Sequence, residues 1–434
     1  MKLLECVPNF SEGRDINIIN KISGAIAAVN TIKILHTDIG EAANRTVITF
    51  IGEPEAVIEA AFQAIKTAGE LIDMTKHQGV HPRIGATDVC PLIPLKGITM
   101  EETIEFSKKL AKRVSKELHI PVYLYENSAT APHRKNLADI RKGEFEGLEE
   151  KMKQPEWQPD FGFSIADFRL PNLHTHQSKI QNPKSKIAGA TVIGARNFLV
   201  AFNVNLDTQD VSIAKKIAAE MRESGIQRKE ISELERHVKN AKLENEYLEM
   251  KVKRLKLLME SLKMSTEVEK FHQDGTEKTD RFLGHIEKLE LNAARLKQQS
   301  EKMLKTADKL KYELDLSRLN TYHFNLLSVK AIGWYIEEYN RAQVSMNLTD
   351  TEVTSVHIAY EMCKKAAEKY GVKVTGSELI GLIQEQVLVD AGMFYSKNDE
   401  NLDVDEFVDL GVVHLGLNDL KPFDVEERVI DYLI

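Results

Sequence analysis

The stretch NFLVAFNVNLDTQDVSIAKKIAAEMRES, residues 197–224, decides the fold because its periodicity changes partway along. Residues 197–206 alternate in the manner of a strand, whereas residues 208–224 have the three-and-four spacing of a helix. Thr208 or Asp210 is a suitable N-cap for that helix. A strand followed directly by a helix predicts the start of an α/β unit.

The elements that complete this unit lie about a hundred residues further along the chain. Two strand-like runs, then a helix, then a last strand follow in the order VKAIGWYIEEY (329–339), AQVSMNLT (342–349), TSVHIAYEMCKKAAEKYG (354–371) and VKVTGSEL (372–379). Taken together with residues 197–224, the order is βαββαβ, which is the ferredoxin-like arrangement.

The first 125 residues repeat this order. Strands and helices alternate as strand 3–10, helix 14–29, strands 32–40 and 45–52, helix 54–73 and strand 86–94, followed by helix 100–118 and strand 121–126. We therefore predict an α/β (α+β) protein with two ferredoxin-like subdomains. A crevice between two such units is a common setting for a ligand site.

A long helical segment interrupts the second unit. Between Gly225 and Gly333 the chain has no proline and only two glycines, which is typical of helix. Two heptad seams run through it: Ile231, Leu234, Val238, Ala241, Asn245, Leu248, Val252, Leu255, Met259, Leu262; and Phe282, Ile286, Leu289, Ala293, Leu296, Ser300, Met303, Ala307, Leu310, Leu314. The seams predict an antiparallel coiled-coil hairpin at 226–327, inserted between 181–225 and 328–434 of the second subdomain, with the first subdomain at 1–180.

Composition restricts the class of protein. A net charge of −8 gives no reason to expect nucleic acid or an anionic membrane as partner. The three cysteines are scattered, which fits a reducing cytosol, and no apolar run approaches the roughly 20 residues that span a bilayer. We expect a cytoplasmic protein that binds neither nucleic acid nor membrane.

The segment KHQGVHPRIGATDVCPLIPL, residues 76–95, contains the strongest candidate for chemistry. His77 and His81 have the spacing of a zinc-binding helix, but Gly79 and Pro82 predict a turn instead. A histidine on a stiff turn is suited to proton transfer, and Asp38 is a candidate orienting carboxylate. The alternative is a loop histidine whose hydrogen bonds are satisfied, with no catalytic role.

Three arginines at strand or turn edges suit a substrate that carries several carboxylates. Arg45, Arg83 and Arg196 each offer a guanidinium fork, although each is equally a candidate for a surface ion pair. GATVIGAR (189–196) is not a dinucleotide-binding motif, and the chain has no P-loop. HTH at 174–176 suggests either a metal ligand pair or a flexible insertion.

Ten segments taken in order resemble the glutamate formiminotransferase family. They are ECVPNFSEGRD, TDIGEAANRTVITFIG, HQGVHPRIGATDVCPLIP, PVYLYENSA, PEWQPDFG, GATVIGARNFLVAFNVNL, VKAIGWYIEEY, AQVSMNLT, VTGSELIGL and LKPFDVEERVIDYLI, and they cover residues 1–162, 189–225 and 328–434. The family has two ferredoxin-like subdomains, in agreement with the pattern above. The resemblance implies transfer of a formimino group between N-formimino-L-glutamate and tetrahydrofolate in histidine degradation and one-carbon metabolism.

The resemblance also implies roles for individual residues. His81 becomes the catalytic histidine and Asp38 its acidic partner, while the three arginines meet the carboxylates of formiminoglutamate, glutamate or folate. The implied folate-binding residues are Gly162, Phe163, Gly189, Ala190, Asn203 and Asn205. Tetrahydrofolate would be a co-substrate, no metal would be needed, and a homodimer is implied because relatives associate as dimers.

Two features distinguish the chain from this family pattern. Residues 163–188 form a longer and more basic loop, and the helical hairpin replaces a short connection. Some relatives fuse a cyclodeaminase domain, whereas this chain stops at ERVIDYLI, so we expect a monofunctional transferase. The alternative is a scaffold in which the coiled coil recruits a partner or drives self-association, while the body is inactive or only binds folate.

Overall fold

The computed structural model describes residues 2–162, 187–222, 237–238, 240–256, 276–320, 326–397, 399 and 401–434. The first elements are β1 Leu3–Cys6, β2 Asn9–Phe10, α1 Ile16–Ala27, β3 Lys33–Gly40, β4 Arg45–Gly52, α2 Pro54–Leu71, β5 Thr87–Lys96, α3 Met100–Arg113, β6 Val122–Leu124, α4 Leu137–Arg141, α5 Glu144–Met152 and β7 Thr191–Ala195. The later elements are β8 Val200–Leu206, α6 Val211–Met221, α7 at residues 240–256, α8 Thr276–Asn320, β9 Val329–Ile336, β10 Arg341–Leu348, α9 Val356–Lys369, β11 Val374–Ile380, α10 Glu385–Tyr395, α11 Val404–His414, α12 Val425–Arg428 and α13 Ile430–Leu433.

The predicted α/β class with two sheets is confirmed. The chain divides into two compact units, of which the first comprises Met1–Ser224, Phe324–Gly392 and Asp403–Ile434 and contains both sheets. The second unit comprises Gly225–His323 and Met393–Leu402. The predicted subdomain and hairpin boundaries stay predictions.

The first sheet has seven strands, with a ferredoxin-like arrangement at its centre. β1 and β2 behave as one strand interrupted at Val7 and Pro8, and both pair antiparallel with β4 and with β5. β3 extends the sheet beyond β4. Helices α1 and α2 cover one face, because alternate residues such as Leu4, Cys6 and Phe10 join the helices in the main apolar core.

Strand β7 belongs to this first sheet. It pairs in parallel with both β5 and β6, so that Val192 lies opposite Val89 and Tyr123. The predicted boundary between residues 180 and 181 places β7 in the second subdomain instead. The sequence pattern does not show this, because an apolar run such as TVIGA fits the interior of either sheet.

The second sheet has four antiparallel strands in the order β11-β8-β10-β9. For a βαββαβ unit this is the order fourth, first, third, second, as the ferredoxin-like prediction requires. On β8 the apolar residues Phe202, Val204 and Leu206 are fully buried. Asn203 and Asn205 alternate with them and therefore lie on the opposite face of the sheet.

The second unit contains two long helices that contact each other. Every described position of the two predicted seams is buried or half-buried, which confirms the periodicity along α7 and α8. At one point the Ser300 hydroxyl donates to Asn245 Oδ1 at 2.6 Å, so that the polar seam positions meet. The connection at 257–275 lies outside the described residues.

Within the part of the chain that the structure describes, none of the helices combines the length and the apolar composition needed to cross a membrane.

Candidate active site

His81 lies on a tight loop between α2 and β5. Gly79, two residues earlier, packs against the loop between β3 and β4, since a Cβ at Gly79 would lie 2.3 Å from the Ala43 carbonyl oxygen. Only glycine allows this close approach. The loop and the start of β4 thus bring His81 and Arg45 together in one small pocket, which Asn44, His77 and Asp88 also line.

The contacts of His81 favour one tautomer. Nδ1 lies 2.7 Å from the carbonyl oxygen of Pro82, which only accepts, so this contact favours a proton on Nδ1. Arg45 Nη1 lies close to both ring nitrogens, 2.5 Å from Nδ1, and a neutral ring protonated on Nδ1 accepts from it at Nε2. Arg45 in turn donates to Asn9 Oδ1. The accepting nitrogen of the His81 ring therefore points toward the Arg45 guanidinium.

The surroundings of His81 favour the neutral imidazole. Burial lowers the pKa of His81 well below 6.5, and the positive charges of Arg45 and Arg141 lower it further. The pKa of Arg45 is itself lowered to about 9 by burial and by Arg141, with Asp88 opposing the shift. At neutral pH, His81 is consequently uncharged and able to accept a proton at Nε2.

His77 has a different environment, although it lies only four residues away. Its Nδ1 accepts from Arg83 Nε at 3.0 Å, and its Nε2 lies 2.9 Å from the Asn44 carbonyl oxygen, to which it donates. Burial lowers the pKa of His77 as well. Because its partners are the Asn44 carbonyl and the ion-paired Arg83, His77 acts as a structural link between the loops.

Arg141 and Asp88 form a buried ion pair beside His81 that sequence reasoning missed. Asp88 is 1% exposed, and its second oxygen accepts from the Ile84 N–H at 3.0 Å. The pair joins helix α4 to the start of β5 across 53 residues of sequence. No local pattern indicates such a long-range contact.

Arg83 is already paired within the protein. Its guanidinium donates to Glu144 at 2.9 Å and to both oxygens of Glu146, at 2.7 and 2.9 Å. Its side chain is 8% exposed. These contacts favour a structural role for Arg83, and its assignment to a substrate carboxylate stays a prediction that would need this ion pair to open.

Asp38 does not form the predicted hydrogen bond to His81 among the contacts of the described residues. Its carboxylate accepts from the Gly381 N–H at 3.1 Å and lies 3.8 Å from His36 Nε2 and 3.7 Å from Arg428. Burial would raise the pKa of Asp38, but the hydrogen bond from His36 and the charge of Arg428 outweigh it and lower the pKa. The strand register explains the difference, because Asp38 lies opposite Val47 and faces the second sheet.

Arg196 lies at the end of β7. Its backbone N–H donates to the Leu92 carbonyl at 3.0 Å, and its Nη1 donates to the Asn197 carbonyl at 2.8 Å. Glu5 on β1 is fully buried, and burial raises the pKa of Glu5 to about 7, with the nearby charge of Arg196 opposing the shift. The Tyr125 hydroxyl also hydrogen-bonds the Arg196 side chain, so Arg196 is engaged with protein groups in this structure.

The second sheet meets His81 through Trp334 on β9. The two ring centroids are 6.0 Å apart, with an edge-on interplanar angle of 61°. Trp334 Nε1 donates to Gln343 Oε1 at 2.9 Å, and Gln343 is completely buried. The imidazole therefore lies in contact with a side chain of the second sheet. Its role as an acid–base residue stays a prediction.

The predicted folate-binding residues fall into two groups. Gly189 (φ +72°) and Ala190 pair with the backbone at Ile84 and Gly85, close to the His81 loop, and Gly162 ends the segment that pairs with Val122. Phe163 lies outside the described residues.

The second group lies on β8, far along the sequence from the first. Asn203 donates to Glu378 at 3.1 Å, and Asn205 donates to Asp419 at 2.9 Å. Both asparagines are buried on the face of the second sheet that carries Trp334 and Gln343. Their assignment to folate stays a prediction.

A metal centre has no support from the described residues, among which no group of three or more His, Cys, Asp or Glu side chains is arranged to hold an ion. The HTH motif at 174–176 lies outside those residues.

Comparison with known proteins relates this geometry to a family. Residues 3–169 match the N-terminal subdomain of the formiminotransferase domain, and residues 292–434 match the formiminotransferase domain. The chain is 34% identical to glutamate formimidoyltransferase of Streptococcus pyogenes serotype M1 over 394 residues, which cover 91% of this chain and 93% of that protein. The corresponding protein of Thermoplasma acidophilum is also 34% identical, over 91% of this chain and 92% of its own length.

Longer relatives match as well. The formimidoyltransferase-cyclodeaminase of Mus musculus is 36% identical over the whole of this chain, which spans 60% of that protein. The matches to the two shorter relatives extend over nearly their full length and include both sheets. The chain therefore belongs to the formiminotransferase family.

Proposed function

We propose that this chain transfers the formimino group between N-formimino-L-glutamate and tetrahydrofolate. Family membership supports the reaction class, since the relatives from S. pyogenes and T. acidophilum are named glutamate formimidoyltransferase. The observation that carries the proposal is the position of His81, whose ring contacts the Arg45 guanidinium and lies 6.0 Å from the Trp334 ring of the second sheet.

The reaction needs a group that first takes and then returns a proton. The folate amine attacks the formimino carbon, so a C–N bond forms and the amine must lose a proton. The bond from that carbon to the glutamate nitrogen then breaks, and this nitrogen must gain a proton. We assign both transfers to His81 Nε2, which is unprotonated at neutral pH. It can act first as base and then as acid once the Arg45 guanidinium turns from Nε2 to a substrate carboxylate.

The cations near His81 supply recognition for the anionic parts of the substrates. Glutamate carries two carboxylates, and the folate tail carries others. Arg45 contacts His81 and Asn9, and Arg196 contacts Asn197 and Tyr125, so each would exchange neutral polar partners for a substrate carboxylate. Arg83, in contrast, is ion-paired with Glu144 and Glu146. We assign Arg45 and Arg196 to substrate carboxylates, with tetrahydrofolate as a co-substrate and no metal.

The other predicted properties are retained as proposals. These are a homodimer, a cytoplasmic location, a role in histidine degradation and a binding partner for the coiled coil. Leu243, Tyr247 and Met250 favour the last of these, because they are more than half exposed at a spacing that puts them on one side of α7. Replacing residues 227–318 with a short Gly-Ser linker separates the two roles: retained turnover with lost self-association or partner binding supports an interaction arm.

A direct assay tests the proposed reaction. Purified full-length chain is mixed with N-formimino-L-glutamate and tetrahydrofolate, and the formimino-folate product and released glutamate are quantified separately. We expect the two products to appear in equal amounts. Folate binding without either product would contradict the transferase proposal and favour the scaffold alternative.

A further inference from the structure

The second sheet carries a one-directional chain of hydrogen bonds that ends at the ring beside His81. Trp334 Nε1 donates to Gln343 Oε1 at 2.9 Å, Gln343 Nε2 donates to Asn205 Oδ1 at 2.7 Å, and Asn205 Nδ2 donates to Asp419 Oδ2 at 2.9 Å. Every donor therefore points away from His81 and toward a carboxylate.

Strand register builds this chain. Gln343 lies directly opposite Trp334 in the β10–β9 pair and directly opposite Asn205 in the β10–β8 pair. Residues directly opposite on neighbouring strands share a face of the sheet and lie within reach of one another. The three side chains form a row across the sheet, and Asp419 closes the row at its far end.

The two ends of the chain fix the direction of the amides between them. An indole N–H only donates and a carboxylate only accepts, so Gln343 and Asn205 each have a single favourable orientation. Both amides are fully buried. Arg341 and Thr375 also donate to Asp419 Oδ2, at 2.8 and 3.0 Å, and hold that carboxylate in place. The hydrogen bond from the indole N–H to Gln343 consequently fixes the plane of the Trp334 ring.

The polarity of the chain affects the ring as well as its position. Hydrogen bonds in series polarise one another. The carboxylate at the end of the row therefore shifts electron density toward the indole N–H of Trp334. The indole face, already negative because of its π electrons, becomes more attractive to a cation. Trp334 is half-buried, so part of its surface stays open to a ligand.

We infer that Trp334 is the platform on which the flat, positively charged formimino group rests next to His81, and that Gln343, Asn205 and Asp419 are positioning residues that hold it. This inference depends on the proposed function. An N-alkylated formamidine is a strong base and is protonated at neutral pH, so the transferable group of formiminoglutamate is a planar cation. An indole face is the aromatic surface that binds such a group best.

A matched pair of ligands tests the platform without turnover. N-formimino-L-glutamate and N-formyl-L-glutamate have the same shape, but only the formimino compound is cationic. Their dissociation constants are measured by calorimetry on the full chain, and the ratio between them reports recognition of the charge. We expect Trp334→Leu to reduce this ratio about 10-fold and Trp334→Phe, which keeps an aromatic face, to reduce it about threefold.

Gln343→Leu breaks the row of hydrogen bonds but leaves the indole of Trp334 in place. We expect it to reduce the same ratio about threefold. A second readout comes from fluorescence, because the protein has two tryptophans and Trp157→Phe leaves Trp334 as the single one. In that background, Gln343→Leu should shift the emission of Trp334 and reduce the change that formiminoglutamate produces. Trp157→Phe alone is the matched control, since Trp157 packs on His133 and Lys151.

Three outcomes are distinct. If Trp334→Leu weakens both ligands equally or neither, Trp334 does not recognise the cation and the inference is overturned. If this variant loses tetrahydrofolate binding while the ratio stays unchanged, the platform serves the pterin ring, which also overturns it. If the wild-type chain binds neither glutamate derivative, the proposed function itself fails.

Discussion

The two sheets of the first unit face each other with different chemistry. The first sheet and its loops and helices position His81, Arg45 and Arg141, where burial and the positive charges of the two arginines lower the pKa of the imidazole. The second sheet contributes buried amides that are satisfied among themselves, such as Gln343 and Asn205. We infer that the first sheet and its loops position the reactive group, whereas the second sheet provides a rigid surface against it.

The largest expected effect concerns the reactive side of this comparison. His81→Ala should lower kcat by a factor of about 10² to 10⁴, the usual contribution of a general acid–base residue, while changing the dissociation constants of both substrates only a few-fold. The measurement is steady-state turnover combined with calorimetric binding.

His77→Ala is the matched control for that variant. His77 shares the loop, but both its ring nitrogens are bound to Arg83 and Asn44. We expect a loss of kcat below tenfold, caused by loosening of the loop. Equal losses in the two variants would show that the effect is structural and would remove the distinction between the two histidines.

The second effect concerns the buried ion pair below His81. Arg141→Met leaves the Asp88 carboxylate buried without its cation, which should cost about 3 kcal/mol of unfolding free energy. Asp88→Asn combined with Arg141→Met should recover part of the loss, because no charge is then left unpaired. Urea denaturation at fixed pH measures both.

An exposed ion pair provides the control for this experiment. Lys109 and Glu55 both have side chains more than half exposed, so Lys109→Met should change the unfolding free energy by less than about 0.5 kcal/mol. If Arg141→Met lowered the unfolding free energy as little as Lys109→Met does, the stability of the fold would not depend on the buried pair of Arg141 and Asp88.

The third and smallest effect concerns the positive charge of Arg45, which lowers the pKa of His81. The reaction uses neutral His81, so kcat/KM should fall on the acid side as His81 gains a proton, at a pH below 6.5. Arg45→Gln removes a cation that disfavours the protonated ring, and the pKa of His81 should rise. The acid limb should therefore move to higher pH, by up to about one unit.

The control is Lys108→Gln, which removes an exposed cation paired with Glu105. Its acid limb should coincide with that of the unaltered chain. If the acid limb of the kcat/KM profile does not move in Arg45→Gln, Arg45 does not set the protonation of His81.

Much of the fold was predictable because the sequence repeats short-range patterns. Alternation on β8 and β10 and the three-and-four spacing of α6 and α9 predict the second sheet and its helices, and the heptad seams predict the buried positions of α7 and α8. The sequence did not indicate that β7 belongs to the first sheet, because a short apolar strand carries no mark of the sheet in which it pairs.

Less of the candidate site was predictable, because its contacts join distant parts of the chain. The turn at Gly79 and Pro82 singles out His81, but no local pattern brings Arg141 onto Asp88 or Trp334 against His81. The expected pairing of Asp38 with His81 fails because strand register directs Asp38 toward Gly381. The polar positions that alternate along β8 and β10 are a usable signal for the buried amide row. In the sequence analysis Asn203 and Asn205 enter only as folate-binding residues that the family resemblance implies.

The most direct measurement of the central idea is an NMR titration of the full chain labelled with ¹³C and ¹⁵N in histidine, with His81→Gln used to assign the signal. The account predicts that His81 titrates well below pH 6.5 and that its neutral form carries the proton on Nδ1, with Nε2 as the accepting nitrogen beside Arg45. A His81 signal that titrates at or above pH 6.5, or whose neutral form is protonated on Nε2, would contradict it.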